Sequence, residues 1–201
     1  LSKPGNTIAF FDFDGTLTQT DTMFVFFKYA KGPLIYYGAF LLLSPLFVLF
    51  KLKIVPGQFA KEAAMWLLFS GMKRSEIEQI GKRFCAEKID PIIRPEGLKR
   101  LNWHREQGHL VYIVSASVEE WLKPWAESNG IPLICTSLLY KNDIFTGKLN
   151  GLNCNGPEKV RRIKKEINLS DFETIYAYGD TSGDREMLAI ATHAEFKPFR
   201  S

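Results

Sequence analysis

Cysteine is scarce in this chain of 201 residues: Cys85, Cys135 and Cys154 are the three, and none forms a Cys-x-x-Cys pair. An odd number without that spacing argues against a disulfide framework and a zinc site, and it suits a reducing compartment. Histidine is equally rare. His104, His109 and His193 are scattered without metal-ligand spacing, so solvated or packing roles are expected of them. A basic stripe interleaved with aromatics is missing too. The excess of 26 basic over 22 acidic residues, a net +4 with a pI near 8.9, is too small to indicate nucleic acid, and no nucleic-acid partner is expected. That modest excess suits phosphorylated or membrane-surface partners. No cleavable signal peptide is expected, because the chain runs almost at once into an apolar strand. The expected location is cytoplasmic, at or near the inner face of the membrane.

Charge is absent altogether from Pro33 to Phe50. That span is near the lower limit of about 17 to 20 residues needed to cross a hydrocarbon core. Pro45 is expected to kink it, and Tyr36, Tyr37 and the flanking Lys28, Lys31, Lys51 and Lys53 look like an interfacial boundary. Three readings stay open: a buried pair of cap helices, a peripheral membrane contact through residues 33–50, and a true span.

The stretch Ile8-Ala9-Phe10-Phe11-Asp12-Phe13-Asp14-Gly15-Thr16-Leu17-Thr18 organises the rest, because an apolar run ends abruptly in two carboxylates, Gly and Thr. It reads as a buried strand that delivers acids to a loop. Residues two apart on a strand point the same way, so Asp12 and Asp14 converge at its carboxyl end. At about 4 Å and an effective dielectric of about 20 they repel by roughly 4 kcal/mol, which calls for a shared proton or a cation. Oxygen ligands without nearby His or Cys favour Mg²⁺.

The length allows one α/β core plus an inserted module. Asp21 offers a helix cap for a segment running from Met23 to Ala30 before Lys31-Gly32-Pro33 interrupts it. Helices are expected over Gln58 to Phe69 and over Ser75 to Ile89, the latter opened by a Ser75/Glu78 capping box. The expected organisation is therefore a catalytic core of residues 1–19 and 92–201 with an all-helical cap of residues 20–91. Beyond it, strands at 109–114, 132–136, 174–178 and 194–196 alternate with helices, and residues 138–150 read as a hairpin. The expected fold class is α/β, a Rossmann-like three-layer core with a mostly parallel sheet.

Three of those strands end in polar loops: Asp12-x-Asp14-Gly15-Thr16, Ser115-Ala116-Ser117 and Gly179-Asp180-x-x-Gly183-Asp184. In a parallel sheet these ends share one edge, and Lys159 is the nearest cation able to reach it. Such groups suit phosphoryl transfer through a covalent carboxyl phosphate. In that chemistry Asp12 would be the nucleophile and Asp14 the general acid and base, and Mg²⁺ would be held by Asp12, the backbone carbonyl of Asp14 and Asp180. Ser115, the amides from Ala116 onward and Lys159 hold the phosphate oxygens, and Asp184 orients metal waters or Lys159.

Phe11-Asp12-Phe13-Asp14-Gly15-Thr16-Leu17-Thr18, Ser115, Lys159 and Gly179-Asp180-x-x-Gly183-Asp184 resemble, in order and context, the four motifs of the haloacid dehalogenase superfamily. The insertion after the first motif resembles the helical cap of its phosphoserine phosphatase-like subfamily. The resemblance implies a Rossmann-like core, Mg²⁺ dependence, Asp12 as nucleophile and Asp14 as acid/base, with Gly15, Thr16 and Asp184 in support. Departures bear on substrate. Phosphoserine phosphatases carry Gly-Gly where this chain has Ala116-Ser117, and Asp21 stands where they use Glu to hold the serine ammonium. The Ser-Ala-Ser loop and the apolar segment are more similar to bacterial members that include membrane-associated phosphatidylglycerophosphate phosphatases. The expected substrate is a small or lipid phosphomonoester. Phosphotransfer through the same intermediate, and a silent protein anchored by residues 33–50, are the alternatives.

Overall fold

A computed structural model describes residues 6–200, so the outer ends of the expected core, residues 1–5 and 201, lie outside the described residues. The strands are β1 (Thr7–Phe11), β2 (Leu110–Val118), β3 (Leu133–Thr136), β4 (Leu138–Lys141), β5 (Ile144–Leu149), β6 (Thr174–Gly179) and β7 (His193–Phe196). The α-helices are α1 (Thr22–Lys51), α2 (Gly57–Phe69), α3 (Arg74–Phe84), α4 (Pro95–Glu106), α5 (Glu119–Ser128), α6 (Pro157–Glu166) and α7 (Arg185–Ala189). Five strands form one sheet in the order β3-β2-β1-β6-β7, each pair parallel. All five residues of β1 are buried because it is the middle strand with layers on both faces. Ala9 and Phe11 face one apolar cluster, which reaches into α1, α2 and α3, while Ile8 and Phe10 face a second one with Ile163 and Met187. The sheet is an α/β sandwich of the Rossmann-like kind, and the point where the order reverses, between β1 and β6, puts the strand ends at the usual ligand crevice of such sheets.

The helical insertion leaves and rejoins the core through a paired stem. Thr18 bridges Ile93, the Gln19 N–H donates to the Ile92 carbonyl at 2.8 Å, and the Arg94 N–H donates to the Leu17 carbonyl at 2.7 Å. Asp21 caps α1, its carboxylate accepting from the Met23 N–H at 2.9 Å. The α1 backbone turns at Gly32 (φ 75°, ψ 164°), the Lys31-Gly32-Pro33 interruption expected from sequence; through Pro45 the dihedrals stay helical. The limb before Gly32 is anchored by Phe26, which stacks on Trp121 of α5 at 4.4 Å and meets Phe69 and Phe84. The limb after it is not cap interior: Leu34, Leu41 and Leu42 are 87%, 77% and 68% exposed. By length and composition α1 is apolar enough to cross a membrane.

Two local expectations shift. The α3 helix opens at Lys73, whose N–H donates to the Glu76 carboxylate at 2.7 Å, so the Ser75/Glu78 box is not used. The cause is tertiary: Lys73 bridges Ile144 of the β4-β5 hairpin, which fixes an extended residue there and sets where the helix starts. The hairpin turns on Asn142 and Asp143, both left-handed, and packs on α2, so the cap shares its apolar interior with a β element.

Close approach of α3 to α5 depends on Gly81, where an added Cβ would lie 2.0 Å from the Glu120 carbonyl oxygen. On an open helix face Gly81→Ala would gain about 1 kcal/mol from propensity. Here overpacking of backbone wins, and a net loss of about 1 to 3 kcal/mol is expected in urea denaturation. A variant as stable as the parent refutes this packing.

Candidate active site

The loop after β1 coils through Phe13–Leu17 and reverses at Gly15 (φ 77°), where any Cβ would strike Asp180 at 2.5 Å. Glycine there lets the acids of β1 and β6 approach. At the centre, the Lys159 ammonium donates to Asp12 Oδ1 at 2.6 Å, to Asp184 Oδ1 at 2.6 Å and to the Val114 carbonyl at 2.7 Å. All three of its protons are thus used, and Lys159 is 1% exposed. Pro157 at the first turn of α6 sets Lys159 facing the strand ends.

Burial pushes the Asp12 carboxyl up to about 7, with Asp184 and Asp14 adding to it, although Lys159 pulls the other way. Burial also opposes charge on Lys159, but Asp12 and Asp184 outweigh it and hold the ammonium above its ordinary value. Asp184 is held below the usual carboxylate range, because Lys159 and the Thr181 donors outweigh its burial. Its Oδ2 accepts from the N–H groups of Asp180 and Thr181 and from the Thr181 hydroxyl. Asp180 is raised by burial and by Asp184, against the Arg200 guanidinium that grips its Oδ2 at 2.6 Å. Thr16 is fully buried between Asp12 Oδ2 at 3.0 Å and Asp180 Oδ1 at 3.3 Å.

Asp14 turns elsewhere. Its Oδ1 accepts from the Thr22 N–H at 2.7 Å and its Oδ2 from the Ser117 hydroxyl at 2.6 Å. Ser115 is fully buried, accepts from the Ser117 N–H at 2.9 Å and lies 3.4 Å from Asp14 Oδ2; it does not line the crevice, whereas Ala116 and Ser117 do. Asp21 lines it at the α1 cap. The side chains of Asp12, Asp180 and Asp184 each offer one buried oxygen, all within 4.8 Å of one another, and such a hard, all-oxygen set fits Mg²⁺. The Asp14 side chain, which points to Ser117 and Thr22, is not part of that set.

The crevice has a volume of about 710 Å³ and two characters. Its floor carries the acids; its wall is Met23, Phe24, Phe47, Phe50, Ala60 and Ala64 of α1 and α2. Sequence reasoning missed Lys61, whose ammonium donates to the Ala116 carbonyl and to Asn153 Oδ1, and which burial lowers to about 8 against the pull of Asp14 and Asp21. Its signal was there: Lys61 sits on the stripe of Ala64, Met65 and Leu68, the buried face of α2. Arg200, beyond the last strand, carried no signal at all.

Fold and site define an α/β enzyme whose carboxylates meet at strand ends beneath a helical insertion. The family model of the haloacid dehalogenase-like hydrolases matches residues 9–189, and the chain belongs to that family. Protein CicA of Caulobacter vibrioides is 34% identical over 192 residues, covering 94% of this chain and 85% of that one. A protein of Mycobacterium tuberculosis named a probable phosphatase is 27% identical, over 94% of this chain and 67% of its own. Among solved structures, a protein of unknown function from Bordetella pertussis Tohama I superposes with a TM-score of 0.82 at 21% identity, covering 94% of this chain and 89% of that one. A substrate-bound phosphoserine phosphatase gives a TM-score of 0.65 at 19% identity, over 97% and 87% of the two chains. The fold is that of the phosphoserine phosphatases.

Removing Lys159 leaves two buried carboxylates facing each other. Lys159→Met is expected to cost about 3 to 5 kcal/mol at pH 8. Without the ammonium both acids titrate higher when folded than when unfolded, so the folded state binds more protons and the deficit shrinks as pH falls toward 5. Urea titrations at the two pH values measure it; a deficit independent of pH contradicts the assignment.

Proposed function

We propose that the protein is a Mg²⁺-dependent phosphomonoester hydrolase working through an aspartyl phosphate on Asp12. The observation that carries the reading is the buried arrangement of Asp12, Asp180 and Asp184 around Lys159 at the ends of β1 and β6. Five carboxylates and three cations line the crevice among the described residues, so a phosphate dianion entering it meets net negative charge. A divalent ion held by Asp12, Asp180 and the Asp14 backbone carbonyl, with Asp184 beside them, supplies the Lewis acidity that screens phosphate from carboxylate.

The rest falls to the chain. An Asp12 carboxylate oxygen bonds to phosphorus while the bond from phosphorus to the ester oxygen breaks, and Asp14 gives that departing oxygen its proton. The Asp14 carboxylate then takes a proton from water as the water oxygen bonds to phosphorus, and the bond to Asp12 breaks, restoring both acids. Lys159 orients Asp12 and favours its charged form before the bond to phosphorus forms and after it breaks. Support comes from the mycobacterial relative named a probable phosphatase and from a fold neighbour described as a phospho-aspartyl intermediate analogue of phosphoserine phosphatase.

The substrate we favour carries an apolar part, a lipid or other small phosphomonoester, because Phe24, Phe47 and Phe50 wall the crevice. Phe50 belongs as well to the exposed limb of α1. Residues 22–61 carry five lysines and neither Asp nor Glu. An apolar helix in such surroundings suits peripheral contact through residues 33–50 with an anionic leaflet, as at the inner face of the cytoplasmic membrane, each lysine near the surface adding about 1 kcal/mol.

Two measurements test these statements. Phosphate release from a panel of soluble and lipid phosphomonoesters is expected only with Mg²⁺, to stop with chelator, and to fall at least about 10³-fold in Asp12→Asn; hydrolysis surviving that change refutes the covalent scheme. Sedimentation with vesicles containing phosphatidylglycerol is expected for the parent chain and not for Leu41→Glu/Leu42→Glu. If both forms stay in solution, the limb has another role.

A further inference from the structure

Ser117, near the end of β2, joins Asp14 to a run of buried donors. The Trp121 indole N–H donates to Thr22 Oγ1 at 3.2 Å, Thr22 Oγ1 lies 2.9 Å from Ser117 Oγ, and the Ser117 hydroxyl donates to Asp14 Oδ2 at 2.6 Å. An indole nitrogen can only donate, and an ionised carboxylate can only accept. While Asp14 is the carboxylate that accepts a proton from water, the two ends therefore fix the direction of every proton between them: Trp121 to Thr22, Thr22 to Ser117, Ser117 to Asp14. A short hydrogen bond to a charged acceptor is the strong kind, and the side chains behind this one are buried. Ser117 is 3% exposed, and Thr22 and Trp121 are fully buried.

The second oxygen of Asp14 is held by the main chain of the same threonine, whose N–H donates at 2.7 Å from the first turn of α1. One carboxylate is thus gripped from two sides by residues of β2 and α1, with Trp121 of α5 behind them. Phe26 of α1 stacks on the Trp121 ring at 4.4 Å, so the indole is locked by the packing that docks the insertion to the core.

We propose that Ser117 is a positioning residue for proton transfer by Asp14, acting through this one-way chain from Trp121 by way of Thr22. The inference rests on the aspartyl-phosphate reading above. Its consequence is selective. A nitrophenolate leaves phosphorus without help, so forming the aspartyl phosphate from p-nitrophenyl phosphate does not need a well-aimed acid. Its hydrolysis does need Asp14, because the attacking water must lose a proton. An alkyl phosphate needs Asp14 in both halves.

Rapid mixing of p-nitrophenyl phosphate with Ser117→Ala and Mg²⁺ is expected to give a burst of nitrophenolate matching the enzyme concentration, its rate constant within about threefold of the parent. The following steady state is expected to fall about 10- to 100-fold, the size of a misplaced proton-transfer group. With an alkyl phosphomonoester that the parent hydrolyses, Ser117→Ala is expected to fall as far and give no burst. Ser117→Thr, which keeps the hydroxyl, recovers most of the steady-state rate, and Trp121→Phe, which removes the terminal donor along with part of the ring packed on Phe26, shifts burst and steady state in the same sense as Ser117→Ala. Equal slowing of burst and steady state, or an unchanged steady state, overturns the proposal while leaving the Asp12 scheme intact. A parent chain that hydrolyses neither ester overturns the scheme itself, and this inference with it.

Discussion

One ammonium group among acids is the constraint on which the rest depends. Lys159 spends every proton it has, two on Asp12 and Asp184 and one on the Val114 carbonyl, and so ties α6 to the middle of β2 and to the residues that follow β1 and β6. Burying any one of those charges alone would cost several kcal/mol; together, with the Thr181 and Asp180 donors on the far oxygen of Asp184, their hydrogen bonds offset that cost. The arrangement leaves Asp12 Oδ2 and Asp180 Oδ1 sharing only the Thr16 hydroxyl, which is where the concentration of unneutralised charge lies.

Helix α1 joins this chemistry to the outside of the molecule. Its first residue, Thr22, holds Asp14; Phe26 and Phe27 bury the limb that follows; Phe47 and Phe50, beyond the Gly32 turn, wall the same crevice. A single element thus touches Asp14 at one end and presents bare leucines to the surroundings at the other. Gly32, the one residue of α1 outside helical dihedrals, lets the two limbs take different directions without a break in the chain.

Much of this was legible in the sequence because it rests on period and spacing. The β1 run and its two acids, the loop after β6, Pro157 ahead of Lys159 and the left-handed pair in the hairpin turn are all local signals, and the structure has elements at each, whereas Ser115-Ala116-Ser117, expected as a loop, continues β2. What could not be read depends on contacts between distant segments. The start of α3 is set by Lys73 pairing with the hairpin across the cap, which a local capping pattern at Ser75 and Glu78 cannot express. Whether residues 33–50 were interior or exposed turned on which neighbours exist, and uniform apolarity is silent about that. Ser115 drew attention as the residue after an apolar strand, yet its hydroxyl faces inward and Ser117, two positions on, reaches the crevice. Lys61 was visible as a charge on a buried stripe; Arg200, held to Asp180 after two left-handed residues at Lys197 and Phe199, was not.

The stem at Thr18 and Ile93 carries one more implication. Because the two ends of the insertion are hydrogen-bonded side by side, the core sees the same short bridge whatever the chain does between them. The entropy of closing that excursion grows only slowly with its length. The roof over the crevice can therefore be lengthened, shortened or exchanged as a module over generations, altering what is admitted while the reaction beneath it stays the same.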